Sequence, residues 1–310
     1  MRYLSRRLAH AVLVLAGVSV LAFLLLELAP GDYFSEMRLN PQISPETVAV
    51  LRARHGLDRP LPLRYGRWLL SAARGEFGFS FAYNMPAGPL LWTRARNTLL
   101  LTGTATLAAW LLAVPLGIWF AARRGTPADR AGTAAMAALV ATPDLLLALG
   151  LLMFALRTRW LPAGGGWEHA SEIPARLALP VCALALGALP ALVRHVRAAV
   201  LEALGTPSLR AARAHGIPRG RILWRHALPA AANPLISLFG LSLGTLLSAS
   251  LLVEVVMGWP GLGPLLVEAI LGRDLFVVID GVLFSAVFLV LGNLLADVLL
   301  YVADPRIRAS

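Results

Sequence analysis

Six long apolar stretches alternate along the chain with polar stretches that carry most of its arginines. The apolar stretches cover residues 9–29, 98–122, 131–156, 177–193, 230–253 and 277–302. About 20 helical residues are needed to cross a hydrocarbon core about 30 Å thick. The pattern therefore predicts an all-α, polytopic membrane protein with about six transmembrane helices.

Proline interrupts two of these predicted spans. Pro143 lies in the third span, and Pro180 and Pro190 lie in the fourth. Proline lacks a backbone N–H and clashes with the preceding helical turn, although membrane helices tolerate it where neighbours satisfy the freed carbonyl. We therefore expect a kink in the third span and a break in the fourth.

Composition supports lipid as the main solvent of the chain. Of 310 residues, 58% are hydrophobic and 15% are charged, and the mean hydropathy is +0.70, whereas soluble domains carry about 25% charged residues. The net charge of +11 raises the question of nucleic acid binding. No basic stripe with interleaved aromatics is found on a soluble segment, so the charge is interpreted as arginines flanking membrane spans.

The arginines also predict the orientation. Nine of them lie in the long segment 30–97, and loops of that length translocate largely regardless of charge. Over the shorter loops, fifteen arginines lie on the predicted cytoplasmic side and four on the outside. Both termini are therefore expected in the cytoplasm. This gives a first helix within 1–29, an external segment 30–97, a transmembrane core 98–303 and a cytoplasmic tail 304–310.

The external segment is expected to be a folded cap. Ser44 and Pro45 form a helix-start signal, and the run that follows ends at Gly56. Trp68 and Trp92, among other aromatics, are expected to serve as interfacial anchors and local core.

No catalytic residue, metal site or cofactor is expected in this chain. It contains no lysine, so a Gly-x-x-x-x-Gly-Lys-Ser/Thr loop is impossible and any ATP must be bound by another subunit. The single cysteine, Cys182, cannot form an intrachain disulfide or a multi-cysteine metal site, and is expected to be buried. All six histidines lie in loops or at span ends, which argues against a membrane-embedded enzyme.

The loop 194–229 carries the most informative pattern. It predicts a short helix, a turn at Gly216, a second short helix, and a fifth span that starts near Pro229. Ala211 and Ala212 allow another surface to approach closely, and glycine permits a left-handed turn. Such a helix suits a partner that pushes on the membrane domain, whereas the simpler alternative is a basic loop that only fixes topology.

The same loop resembles the coupling loop of ABC importer permeases. The resemblance rests on Arg210-Ala211-Ala212, then Gly216, then His226-x-Leu228-Pro229, and it is closest to the dipeptide, oligopeptide and nickel branch. Arg210 stands where the general pattern has glutamate, and Pro207 replaces an acidic residue usual in the branch. Further stretches typical of the branch run from the first helix to the carboxyl end: 28–32, 56–61, 75–80, 260–263, 273–274 and 304–308.

The resemblance implies a type I importer (MetI-like) transmembrane domain in the bacterial inner membrane. It implies that Arg210, Ala211, Ala212, Arg213, Gly216, Leu228 and Pro229 contact or support an ATPase. The implied partners are a homologous second permease, two ATP-binding subunits, an extracytoplasmic solute-binding protein and membrane lipid. The implied cargo is di- or oligopeptides. Nickel or another small solute, or a secondary transporter, are the alternatives.

Acidic residues within spans are costly, about 2.5–3.5 kcal/mol at the centre. Asp144 follows Pro143 near the middle of the third span and is predicted to line the transport pathway, or else to bond backbone groups at the kink. Asp297 is expected to reach the membrane surface or pair with an arginine. Asp280 and Glu27 are expected at the external interface.

Overall fold

The computed structural model describes residues 2–28, 34, 44–54, 56, 58–162, 164–167 and 169–303. The motif residues 29–32, Leu57 and 304–308 lie outside them. The α-helices are α1 Arg2–Leu28, α2 Pro45–Arg54, α3 Leu61–Ala73, α4 Ala87–Ala122, α5 Pro127–Ala141, α6 Asp144–Thr158, α7 Ile173–Leu204, α8 Pro207–Ala214, α9 Ala232–Met257, α10 Leu262–Leu271 and α11 Leu275–Ala303. A short antiparallel pair joins β1 Phe79–Ser80 to β2 Met85–Pro86. A 3-10 turn covers Ala170–Glu172, and the segment 219–230 is described with the site.

Within the described residues, five helices are long and apolar enough to cross a membrane, namely α1, α4, α7, α9 and α11. Helices α5 and α6 pass the same test together as a sixth span, although they meet at an angle of 99°. The prediction of about six transmembrane helices is thus confirmed. The bend is larger than the kink expected at Pro143, because Thr142 adopts an extended conformation before the proline and ends α5.

The predicted break in the fourth span is wrong. Helix α7 is continuous and contains both Pro180 and Pro190. Buried residues on both sides of each proline, including Ala183 and Leu189, pack α7 into the interior, and that packing outweighs the local cost of proline. Cys182 lies on the exposed surface of the same helix, so the expectation that it is buried is also wrong.

The chain divides into two compact units, of which one comprises residues 99–259 and 291–310. Its centre is α7, which packs against α5, α6 and α9. The indole Nε1 of Trp110 in α4 donates a hydrogen bond to Ser242 Oγ in α9 over 2.9 Å. Six of its core residues, all less than 4% exposed, are Leu101, Ala148, Ala183, Leu184, Leu246 and Val253.

The other unit comprises residues 1–98 and 260–290. Trp68 of α3 packs against Phe23 of α1, with ring centroids 5.4 Å apart, and donates its indole N–H to the buried Asp280 over 2.8 Å. Ser80 donates its hydroxyl to the equally buried Asp274 over 2.6 Å. The expectation that Asp280 lies at the external interface is therefore wrong, because its carboxylate serves as an internal acceptor.

The segment predicted as an external cap is folded where it is described. The backbone N–H of Thr47 bonds to Ser44 Oγ over 3.1 Å, which confirms Ser44 as the N-cap of α2. Gly56 follows that helix with φ +67°. Trp68 is buried whereas Trp92 is exposed, and Glu27 forms an ion pair with Arg64 over 2.9 Å. Aromatics in this segment thus include local core, as predicted.

Candidate functional site

Helix α8 is the first short helix predicted in the 194–229 loop, and the structure confirms it. Thr206 and Pro207 begin it. It ends at Ala214, after which Gly216 adopts φ +76° and its N–H bonds to the carbonyl of Arg213 over 3.0 Å. A Cβ on Gly216 would meet no atom within 4 Å, so the backbone conformation alone accounts for the glycine.

The two faces of α8 differ in burial. Leu209 is buried against Val200 and Ala203 of α7 and against Ile222, which fixes the helix to the transmembrane core. Arg210, Ala211 and Arg213 are exposed and Ala212 is half-buried. The loop therefore presents arginines and small side chains outward from a firmly packed base, and this geometry leaves the face accessible to a partner.

The second half of the loop, 219–230, is also helical. An α turn at Arg219–Arg221 is followed by a π-helical stretch at Ile222–Ala227 and an α turn at Leu228–Ala230. Ala227 is buried and Leu228 packs against the same core as Leu209, while Pro229 is exposed at the entry to α9. The structure therefore places Leu228 and Pro229 away from the outer face of α8. Leu228 packs against the buried residues that hold the loop, and Pro229 lies three residues before the start of α9.

Two further residues of this region were not identified from the sequence. Trp224 is 50% exposed on the π-helical stretch, a distortion that often occurs at functional sites. Asp129 is buried at the start of α5, where its Oδ2 accepts from Arg197 and from the Gly125 N–H, each over 2.9 Å. The signal in the sequence was a single acidic residue, Asp129, among the arginines of residues 123–130. Its bond to Arg197 joins α5 to α7.

Asp144 lies at the first position of α6, directly after the bend, rather than in the middle of one span. Its carboxylate is exposed on the surface of the chain. The Oδ1 atom would lie only 2.9 Å from a Cβ on Gly187 of α7, so the glycine makes room for the carboxylate. The position at a helix N-terminus favours negative charge there.

A cavity of about 230 Å³ adjoins Asp144. Its walls are small or aliphatic residues of α7 and α9, among them Ala183, Gly187, Thr245 and Ala249. Asp144 is the only ionisable residue that lines it, and no hydrogen bond or ion pair joins its side chain to another described residue. Among the described residues, no three His, Cys, Asp or Glu side chains converge to hold a metal ion. Apart from the Asp144 carboxylate and the Thr245 hydroxyl, the side chains that line the cavity are thus apolar.

Comparison with known proteins places these features in one family. The binding-protein-dependent transport system inner membrane component family matches residues 113–309, and the N-terminal family of the same systems matches residues 1–90. The chain belongs to this family. The resemblance seen in the coupling loop is confirmed, and the first match covers both α8 and Asp144.

Relatives align over nearly the whole chain. The oligopeptide transport system permease protein AppB of Bacillus subtilis is 33% identical, covering 99% of each chain. The oligopeptide permease OppB of Mycobacterium tuberculosis is 33% identical over 100% of this chain and 99% of that one. The dipeptide permease DppB of Escherichia coli is 32% identical over 99% of both.

A solved structure supports the fold. A chain of the MetNI methionine ABC transporter in an inward-facing conformation aligns with a TM-score of 0.61 and 22% identity, covering 69% of this chain and 96% of that one. The predicted type I importer transmembrane fold is therefore confirmed.

Proposed function

We propose that this chain is the permease subunit of an ABC importer that carries di- or oligopeptides across the bacterial inner membrane. The observation that carries this is the alignment, over 99–100% of the chain, with permeases of oligopeptide and dipeptide transport systems. The full-length coverage matters because it includes both the cytoplasmic loop and the segment predicted to be external. Nickel and other small solutes are not the cargo in this proposal.

The proposed assembly contains a second homologous permease, two ATP-binding subunits and an extracytoplasmic solute-binding protein. The family description supports a binding protein. Separate ATPases are supported by the absence of lysine, which excludes a phosphate-binding loop of the Walker type in this chain. In this proposal ATP is bound by those subunits, both termini are cytoplasmic, and the chain itself carries neither cofactor nor catalytic residue.

The proposed mechanism begins at α8. Its outer face, which carries the exposed Arg210 and Ala211 and is followed by Gly216, would contact the ATPase, whose closure on ATP binding displaces the helix. Because Leu209 packs on α7, the displacement passes to that helix. Helix α7 also carries Gly187, which lies against the Asp144 carboxylate. In this proposal Asp144 and the adjoining cavity line the pathway. Alternation between outward- and inward-facing states would then expose this surface to each side of the membrane.

Reconstitution of the full importer tests the proposal. The chain, its second permease, both ATPases and the binding protein are placed in proteoliposomes, and uptake of a radiolabelled dipeptide, a pentapeptide and Ni²⁺ is measured. Peptide uptake that requires both ATP and the binding protein is expected, with an ATPase-inactive complex as the control. Accumulation of Ni²⁺ without peptide, or peptide uptake driven by an ion gradient without ATP, would contradict the assignment.

A further inference from the structure

A second cavity lies beside the coupling loop and differs in chemistry from the one at Asp144. It has a volume of about 370 Å³ and is lined by three arginines, Arg124, Arg213 and Arg219. No carboxylate lines it, and none of the three guanidinium groups forms a hydrogen bond or ion pair with another described residue. Arg124 is attracted electrostatically by Asp129, which does not line the cavity. Three cations that share one cavity repel each other, so an anionic ligand would stabilise the arrangement.

The remaining wall of this cavity is made by the ends of membrane helices. Ala121 belongs to the last turn of α4, and Leu201 and Leu204 to the last turn of α7. Trp119, two residues before Ala121, is 38% exposed, and the Arg123 guanidinium carbon lies 4.6 Å from the centroid of its ring. Exposed tryptophan next to arginine is typical of the membrane–water interface. This pattern favours a position of the cavity near the depth of lipid headgroups.

We infer that this cavity binds the phosphate of an anionic phospholipid in the cytoplasmic leaflet. Guanidinium groups bind phosphate oxygens in bidentate fashion, and basic pockets between membrane helices on the cytoplasmic side suit anionic headgroups. The volume falls within the range of small-molecule sites. The aliphatic wall formed by α4 and α7 accommodates the glycerol and the first methylenes of the acyl chains.

The ligand would connect three elements of the loop region. Arg124 follows α4, Arg213 lies on α8 and Arg219 begins the second helical segment. A phosphate shared by all three holds α8 against the ends of α4 and α7 and removes their mutual repulsion. Lipid composition would then determine how firmly α8 is held, and this consequence rests on the proposed function. Lipid binding itself requires only that the cavity lies on the cytoplasmic side.

The test compares two double variants that remove the same charge. R124Q/R219Q removes two arginines of the cavity, and R130Q/R221Q removes two exposed arginines that do not line it and whose guanidinium groups form no hydrogen bond or ion pair with another described residue. The purified full-length chain is titrated with phosphatidylglycerol and phosphatidylcholine in detergent, and bound lipid is counted by native mass spectrometry. R124Q/R219Q is expected to bind phosphatidylglycerol about thirtyfold more weakly (about 2 kcal/mol), from about 1 kcal/mol per arginine.

The control R130Q/R221Q should bind phosphatidylglycerol within about threefold of the wild type, less than the effect of one arginine of the cavity. The charge-conserving R124K/R219K should bind it more weakly than the wild type but more tightly than R124Q/R219Q, because lysine keeps the charge and loses the bidentate geometry. Equal losses in R124Q/R219Q and R130Q/R221Q would overturn the inference, because they would indicate a general surface charge. Displacement of the lipid by millimolar inorganic phosphate or glycerol 3-phosphate would show that a soluble phosphate is the ligand.

The ATPase supplies a further arm of the test. If R124Q/R219Q releases the ATP-binding subunits from the detergent-purified complex while lipid binding is unchanged, the cavity accepts a carboxylate of that partner and the inference fails. If lipid binding depends on the arginines but the assembled complex imports no peptide, only the proposed function is contradicted.

Discussion

Gly216 offers the sharpest test of the coupling role, because only its backbone conformation, and no neighbouring atom, restricts the side chain that can replace it. The residue is exposed at φ +76°, and a Cβ there would meet nothing within 4 Å. A substitution therefore causes no steric collision, and its effect on the fold is limited to backbone strain. The change Gly216→Asp adds one carboxylate at the end of α8, three residues after Arg213 and three before Arg219.

The strain is small compared with the stability of a domain. A left-handed conformation costs an L-residue about 1–2 kcal/mol, and aspartate is one of the side chains best tolerated there. Folded domains have free energies of unfolding of about 5–15 kcal/mol. Gly216→Asp should therefore insert and accumulate in the membrane like the wild type, and its defect should lie in coupling.

The measurement is peptide imported per ATP hydrolysed in proteoliposomes that contain the whole importer. Coupling free energies of about 1–3 kcal/mol correspond to factors of about 5–150, so loss of productive contact should lower this ratio about tenfold while basal ATP hydrolysis persists. Membrane abundance, measured by quantitative immunoblot, should change by less than about twofold, since the strain is only 1–2 kcal/mol.

Gly216→Asn is the matched control, since asparagine has nearly the same shape and also tolerates the left-handed region but carries no charge. It should retain most of the coupling. Unchanged uptake per ATP in Gly216→Asp at normal abundance would refute the coupling role of α8. An equal loss in Gly216→Asn would assign the defect to backbone geometry rather than to charge.

Two other contacts give predictions of similar specificity. Asp144→Asn should lower uptake of lysine-containing peptides relative to neutral ones about tenfold, since a charge-assisted hydrogen bond contributes about 1.5–3 kcal/mol. Gly187→Ala should have a similar effect, because its Cβ would displace the Asp144 carboxylate. The double variant should add little further loss, because both changes remove the same interaction. A ratio of lysine-containing to neutral peptide uptake that stays at the wild-type value in these variants would contradict pathway lining. Trp68→Phe should lower the melting temperature of the purified chain by removing the donor to the buried Asp280, at a cost of about 1.5–3 kcal/mol, whereas unchanged melting would show that the bond contributes nothing.

Features set by local chain chemistry were predictable from the sequence. The length of each apolar stretch reflects bilayer thickness, so about six spans followed directly. The end of α8 followed from Gly216, and the start of α2 from Ser44, because both depend on neighbouring backbone groups only. The family was recognisable from the spacing of the loop residues, because that spacing is read directly along the sequence.

Features that depend on distant partners were not predictable. Asp280 was expected at the interface, but its donor, Trp68, lies 212 positions away in the chain. Asp129 was not singled out because Arg197 is 68 positions distant. The cost of a buried acid depends on the donor that satisfies it, and a single sequence does not show which donor reaches which acid. The same limit applies to Pro180 and Pro190, whose local tendency is overcome by packing.

The continuity of α7 changes how the loop and the pathway surface can communicate. A break at Pro190 would have separated Gly187 from the carboxyl-terminal end of α7, so that a displacement of α8 could be absorbed before it reached Asp144. Instead one helix runs without interruption from Gly187 to Leu204, about 25 Å at 1.5 Å per residue. Its carboxyl-terminal end is packed against Leu209 of α8, and the middle of that stretch is bonded to α5 through Arg197. In the proposed mechanism, a displacement of α8 would therefore move the helix that carries Gly187 as a single rod, and the cavity beside Asp144 would change with it.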